Sequence, residues 1–414
     1  YFRQYNVVRS GDLRREIDTV STLRLRSNIN AVWKSGGSVL RVDSFLFQGL
    51  RSTDNSRLTP YVLPVVDFRH TFDQTVAGGE VSLGANFASL QRTGGADTRR
   101  LSVDATWSRD IVTPGGHKID LLANMRGDAF RYADLDEGTE TVAANPALRK
   151  DRIYRFTPTL SAGWSYPLTR RVPGAQLLVE PKAQIVASLA DKNPAGILNE
   201  DSQSVEFDFA GLFEYNKAPG FDRLEDGQRF NVGLIASAAF DNGLSIEGSA
   251  GRQWRVQPTR AFNPGSGLGN KRSDIVGELN IRYKDNIALE NRFRFDEATR
   301  DLTRAESQLL FNAWRFSGLI NYVRLNDENP VVELARREEV SGNMRFRLNR
   351  NWSLTAGTRR NLVTKQFINQ DFTLGYNDEC STFEILYRRD LTRDVGLPAD
   401  NAVLVRFTLR GLVD

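Results

Sequence analysis

Cysteine and histidine are nearly missing from this chain, which holds one cysteine, Cys380, and two histidines, His70 and His117. A lone cysteine cannot close an internal disulfide, and two histidines leave little material for zinc or acid–base chemistry. No run of about eighteen apolar residues occurs, which excludes a membrane-spanning helix. A charged-then-apolar leader is missing too. Because the first residue is Tyr1 rather than Met, the chain is read as a fragment or processed product whose targeting information lies upstream. An excess of one charge is also lacking: 55 basic residues face 51 acidic ones, spread evenly, for a net charge of +4. That balance gives no support to a nucleic-acid partner.

What the sequence has instead is period two. Leu23, Leu25, Ile29, Ala31 and Trp33 share one face, while Arg24, Arg26, Asn28, Asn30 and Lys34 share the other. Ile287, Leu289, Phe293 and Phe295 oppose Glu290, Arg292, Arg294 and Asp296, and Val403, Val405, Phe407 and Leu409 oppose Arg406, Thr408 and Arg410. Side chains alternate across a strand, so each pattern needs one dry face and one wet face. Turn chemistry separates the segments: Ser35-Gly36-Gly37, Gly78-Gly79, Pro114-Gly115-Gly116, Asp241-Asn242-Gly243 and Asp285-Asn286 supply positive φ cheaply. The spacing predicts roughly nineteen strands of about ten to fifteen residues in an antiparallel up-and-down meander, long enough to cross an outer membrane at a tilt.

The connections alternate in length. Leu391 to Asn401, Asp327 to Val332, Gln257 to Lys271, Asp191 to Gln228 and Ala133 to Asp151 fall on one parity. Tight turns near Asn349-Arg350, Arg315, Asp285-Asn286, Asp241-Asn242-Gly243 and Ser35-Gly36 fall on the other. Long outer loops and short inner turns mark a transmembrane β-barrel of the outer-membrane type, and a soluble sandwich has no reason to keep that parity. Trp107, Trp164, Trp254, Trp314 and Trp352 are candidates for an interfacial girdle or for ordinary packing. The interval Leu198 to Leu234 alone does not read as strand and turn. It mixes Glu200, Asp201, Asp222, Glu225 and Asp226 with Lys217, Arg223 and Arg229, as expected for a segment folded into a lumen against wall charges. A solvated surface loop is the alternative.

Several stretches carry a family resemblance: Asn199-Glu200-Asp201-Ser202 through Leu212-Phe213, then Gly220-Phe221-Asp222-Arg223-Leu224-Glu225-Asp226-Gly227-Gln228-Arg229. Val179-Glu180-Pro181-Lys182-Ala183-Gln184, Gly267-Leu268 with Arg272-Ser273-Asp274-Ile275-Val276-Gly277, and Asp400-Asn401-Ala402-Val403 to Leu409-Arg410-Gly411-Leu412 add to it. Together they resemble the LptD (OstA/Imp) family of lipopolysaccharide-assembly proteins over nearly the whole chain. The resemblance implies an all-β, LptD-like barrel portion over 1–414 that lacks the family's jelly roll and first strands. It also implies a long lumen or extracellular loop at about 191–228, a closing strand at 402–412 and a Gram-negative outer-membrane location. The implied function is lipopolysaccharide transport, with sugar passing through the lumen and lipid leaving by a lateral gate beside the last strand. That strand comprises Ala402, Val403, Leu404, Val405, Arg406, Phe407, Thr408, Leu409 and Arg410.

The resemblance further implies an LptE-like plug lipoprotein, a periplasmic LptA/LptC-type bridge reached through the missing N-terminal domain, and contact with outer-membrane lipid. The loop motif carried over is Asp201, Gly220, Asp222, Arg223, Glu225, Asp226 and Gly227. Cys380 matches the second of two adjacent family cysteines, with Glu379 at the first position, which leaves one interdomain disulfide possible in the oxidising periplasm. Arg292, Arg294, Arg406 and Arg410 are expected either to contact phosphate or to pair with luminal carboxylates.

No cofactor or metal is expected. Asp134-Leu135-Asp136-Glu137-Gly138 lacks calcium-loop spacing. Gly265 to Lys271 lacks the residues that follow a phosphate loop and reads as a flexible outer loop. A hydrolase would need a nucleophile beside a base, and neither His70 nor His117 has an identifiable partner in the sequence. The competing non-enzymatic reading is a general porin or a ligand-gated outer-membrane receptor.

Overall fold

A computed structural model describes residues 24–49, 54–134, 151–202, 205–326, 337–391 and 400–409. They form one antiparallel sheet of twenty strands. In order these are β1 Arg24–Ser35, β2 Ser38–Gly49, β3 Tyr61–Thr71, β4 Glu80–Gln91, β5 Asp97–Val112, β6 Lys118–Ala133, β7 Arg152–Ser165, β8 Leu168–Val172, β9 Ala175–Ser188 and β10 Arg229–Phe240. The second half is β11 Leu244–Arg255, β12 Ile275–Tyr283, β13 Ile287–Phe295, β14 Leu302–Ala313, β15 Phe316–Leu325, β16 Arg337–Arg347, β17 Trp352–Asn361, β18 Phe367–Asn377, β19 Ser381–Asp390 and β20 Asp400–Leu409.

Each strand pairs with the next, except that β7 and β8 both pair with β9. They are one strand interrupted at Tyr166-Pro167, where proline has no N–H to give the ladder and Tyr166 N still donates to Pro181 O. The sheet therefore crosses nineteen times, the number that the alternating pattern predicts. Among the described residues no ladder joins β20 to β1.

All the long connections fall at one end. The opposite end carries the turns at 36–37, 113–117, 173–174, 241–243, 284–286, 314–315, 348–351 and 378–380, and none there is longer than 72–79. The long-loop end carries 50–60, 134–151, 189–228, 256–274, 326–336 and 391–399, together with the short connections 92–96, 296–301 and 362–366. Gly116 (φ 83°) and Gly243 (φ 87°) hold left-handed positions in short turns, where an L side chain would be strained.

Polarity is inverted relative to a water-soluble fold. On β7, Arg155, Thr157, Thr159 and Ser161 are buried while Tyr154 is 74% and Leu160 62% exposed. β5 buries Thr98, Arg100 and Ser102 between exposed Leu101 and Val103, and β6 buries Asn124, Arg126 and Asp128 around exposed Met125. A sheet that turns its apolar residues outward is stable only against hydrocarbon, where every backbone group must also be paired within the sheet.

Aromatic residues gather toward the short-turn end. Trp107 donates to Val76 O at 2.7 Å, Trp164 and Tyr166 flank His117, Trp314 approaches Phe316, and the Trp352 and Tyr376 rings lie 5.1 Å apart. Trp254 sits instead near the opposite end, against Phe230. This is the arrangement of an interfacial girdle.

Candidate functional site

The polar face is not left to solvent. Over β4 to β14 it is covered by the two longest described connections, 189–228 and 256–274.

The first connection is stitched to itself by short polar side chains. Asn193 accepts from Leu224 N (3.0 Å) and donates to Leu224 O (2.7 Å), replacing a backbone bridge. Asp201 accepts from Phe221 N and Asp222 N, and Asp222 accepts from Glu200 N and Asp201 N. Gly220, at φ 75°, completes this clasp because a β-carbon there would run into Asp201. Asp208 accepts from Gly211 N, the first residue of the 3-10 turn Gly211–Phe213.

Beneath that turn Phe207, Phe209, Leu212 and Ala218 meet Ala261, Phe262 and Leu268 of the second connection and Val276 of β12 in an apolar cluster. The wall makes room for it with glycine. Gly233 and Gly251 are register partners on β10 and β11, and a β-carbon on Gly233 would stand 2.7 Å from Phe209 and 2.9 Å from Phe213. Gly233→Val should therefore push the aromatic rings off the wall, at a cost of about 1–3 kcal/mol for overpacking. Limited thermolysin digestion should then cut 205–213 faster while the barrel keeps its heat-modifiable migration.

Wall arginines hold the segment electrostatically. Arg100 of β5 bonds both Asp201, at 2.8 Å, and Asp222. Arg126 and Arg155, on β6 and β7, both donate to Phe221 O and share Asp128. The Phe221 ring lies 5.1 Å from the Arg100 guanidinium and 4.9 Å from that of Arg126, a cation–π contact with both.

Further along, Glu225 is fully buried and gathers Lys217 (3.4 Å), Arg229 (3.4 Å) and Arg255, with Gln253 donating at 3.1 Å. Asp226 accepts from Lys192 N and from Thr259, tying the two connections together. In the second connection Arg294 pairs with Asp274 and donates to the carbonyls of Gly265 and Ser266.

These environments move the ionisations of the segment. Burial pushes Lys217 down to about 8, against the attraction of Glu225. Burial would raise Glu225, but Arg229, Lys217 and Arg255 outweigh it and hold the carboxyl at about 2. Burial lifts Asp222 to about 6, with Arg100 opposing and Asp201 adding to the rise. Asp201 is buried too, yet Arg100 and the backbone donors hold it below the ordinary carboxylate range.

All seven loop-motif residues, Asp201, Gly220, Asp222, Arg223, Glu225, Asp226 and Gly227, fall in this assembly. Arg223 contributes its backbone N–H to Ser202, and Gly227 holds φ 80° and donates to Leu189 O. Arg294 is taken up by Asp274 and loop carbonyls, whereas Arg292 lies 4.0 Å from Glu278 and Arg406 lies 3.5 Å from Glu384. Arg410 lies outside the described residues, as do 411–412 and residues 135–138 of the acidic run. The middle of 265–271 is anchored rather than free: Leu268 is completely buried and Asp274 N donates to Gly267 O, while Gly265, Asn270 and Lys271 are exposed.

β20 pairs with β19 from Asp390↔Asp400 to Ser381↔Leu409. Val403 (67%), Val405 (66%) and Phe407 (62%) are its most exposed large hydrophobic residues. Cys380 is an exposed free thiol in the turn before β19.

The histidines do find partners that the sequence concealed. Ser38 Oγ lies 2.8 Å from His70 Nδ1 across the β2–β3 ladder, and Trp164 donates to His117. No carboxylate bonds the His70 ring among the described residues.

The inverted polarity, the single-crossing meander and the unequal turns define an outer-membrane β-barrel chain. The LptD family, described as LPS transport system D, matches residues 1–352, and the chain belongs to it.

Among curated relatives, the LPS-assembly protein LptD of Marinobacter nauticus is 26% identical over 255 residues, covering 58% of this chain and 30% of the relative. That of Nitrosococcus oceani is 24% identical over 378 residues, covering 88% and 49%. The chain thus spans half or less of the length of these relatives. Among solved structures, the siderophore receptor PirA from Pseudomonas aeruginosa aligns with a TM-score of 0.48 at 9% identity over 92% of this chain and 70% of that one. That likeness is too distant to bear on fold or function.

Proposed function

We propose that this chain is the wall of a non-enzymatic lipopolysaccharide translocon whose polar interior is sealed by residues 189–228 and 256–274. Lipid would leave beside β20, at Ala402 to Leu409, and sugar would pass through the lumen. An LptE-like lipoprotein and an LptA/LptC-type bridge are the partners this reading requires. The observation that carries it is the set of buried arginine–carboxylate clamps, Arg100 on Asp201 and Asp222 and Arg229 and Arg255 on Glu225, in a chain of the LptD family. A passive porin would instead leave its polar face to water.

Depleting the full-length protein in its own host should abolish surface labelling of newly made lipopolysaccharide and accumulate it inside. Normal surface delivery with altered solute uptake would favour the porin or receptor reading. Cys380, exposed at the short-turn end, is available for a disulfide to a partner segment. Non-reducing gels of the full-length protein should then show a mobility that Cys380→Ser abolishes, and identical mobility would contradict the bridge.

A further inference from the structure

Several arginines on the polar face are neutralised by carboxylates: Arg304 by Glu206 and Glu306, Arg337 and Arg359 by Glu339, and Arg294 by Asp274. A cluster of three is not. At the short-turn end, where β16 turns into β17 beside the β18–β19 turn, a cavity of about 230 Å³ is lined by Arg345, Arg347 and Arg350 together with Trp352, Tyr376 and Glu384.

Among the described residues none of the three arginines forms an ion pair. Arg345 donates only to Thr355, at 3.4 Å, and Arg347 to Trp314 O, at 2.8 Å. The single carboxylate, Glu384, is already 3.5 Å from Arg406. Arg345 and Arg347 stand opposite Thr355 and Ser353, on the polar face, whereas Trp352 stands opposite Tyr376 on the apolar one. The cavity therefore opens at the rim where the two faces meet. Three guanidinium groups with no counter-charge, beside an aromatic pair at the membrane boundary, fit a phosphate group carried on an amphiphile.

We propose that this cavity binds the phosphate-bearing head of an amphiphile at the short-turn rim, before it reaches the interior. The assignment rests on the translocon reading above. Phosphate is the group recognised, and it could arrive on a lipid headgroup or free.

The test is equilibrium binding to the purified full-length protein in detergent. The probes are a radiolabelled diphosphorylated disaccharide lipid, the same lipid dephosphorylated, and inorganic pyrophosphate as competitor. The combined variant Arg345→Gln, Arg347→Gln, Arg350→Gln should bind the phosphorylated lipid about tenfold more weakly or worse. The matching triple lysine variant should bind between the parent and the glutamine variant, because the charge is kept while the guanidinium fork is lost. Arg350→Gln alone, in an exposed turn with no ladder contact, should lose severalfold and decides the matter if the triple variant fails to fold.

Competition by pyrophosphate would show that phosphate alone suffices, and absence of competition would assign the site to the lipid-borne form. Both support the proposal. Equal binding of phosphorylated and dephosphorylated lipid, no binding by the unaltered protein, or full binding by folded glutamine variants would overturn it. Surface labelling of lipopolysaccharide in the same strains separates the two claims: delivery that persists while the binding result fails removes the site and leaves the translocon reading standing.

Discussion

Glu225→Ala is expected to release residues 205–228 from the wall. The substitution leaves Lys217, Arg229 and Arg255 facing one another in a dry site with no anion between them. Removing one partner from a buried ion cluster costs about 3–5 kcal/mol, because the remaining charges stay desolvated. Proteolysis that follows local opening should accelerate about 10²- to 10⁴-fold. Trypsin cleavage after Lys217, buried in the unaltered protein, is the direct readout, and susceptibility of cells to large antibiotics should rise with it.

The same cluster fixes an acid limit. Glu225 is held at about 2 against an ordinary value of 4.5, so its contribution is complete above pH 4.5 and is lost as pH falls through 2. The unaltered segment should stay protected at pH 5 and open progressively below pH 4.5. Opening on a shift from pH 7 to pH 5 would contradict the assigned role.

Arg100→Met should give the opposite pH dependence. Without the guanidinium, Asp201 and Asp222 face each other with only neutral donors, backbone N–H groups and the Ser202 hydroxyl, to hold them. Asp222 already lies at about 6, raised from 3.8, so its contribution is present below 3.8 and lost as pH rises through 6. Removing Arg100, which lowers that carboxyl, moves the window upward. Thermolysin should cut the variant rapidly at pH 7.5 and slowly at pH 5, while the unaltered protein resists at both. Equal protection of variant and parent at pH 7.5 would show that the clamp contributes little to seating the segment.

The wall was legible because its signals are local. Alternation along a strand and Gly/Asn turn chemistry act within a few residues, so Ile287 to Asp296 and Asp241-Asn242-Gly243 reveal their structure without knowledge of any partner. The inner assembly was only partly legible. The acidic residues Asp201, Asp222, Glu225 and Asp226 stand out in composition, and the contrast with Lys217 and Arg229 marks the segment as paired rather than solvated. Which wall residues they meet depends on register: Arg100 is 122 residues from Asp222, and Arg255 is 30 from Glu225.

The 256–274 connection reads in the sequence as a long, flexible outer loop for a related reason. Its glycines mimic flexibility, yet Gly267 lies tight against Asp274, and Leu268 fills the cluster under the 3-10 turn. A glycine-rich run of this kind can equally be a close-packed one. The purpose of Gly233 and Gly251 emerges only once Phe209, Leu212 and Phe213 are placed over them.

Single-channel conductance of the purified full-length protein in planar bilayers, beside a variant lacking residues 218–227, tests most directly whether these connections seal the interior. A silent parent and a variant with large, long-lived openings is the expected pair of traces. A parent that already conducts, with the deletion adding nothing, would mean that the segment rests on the wall without closing it.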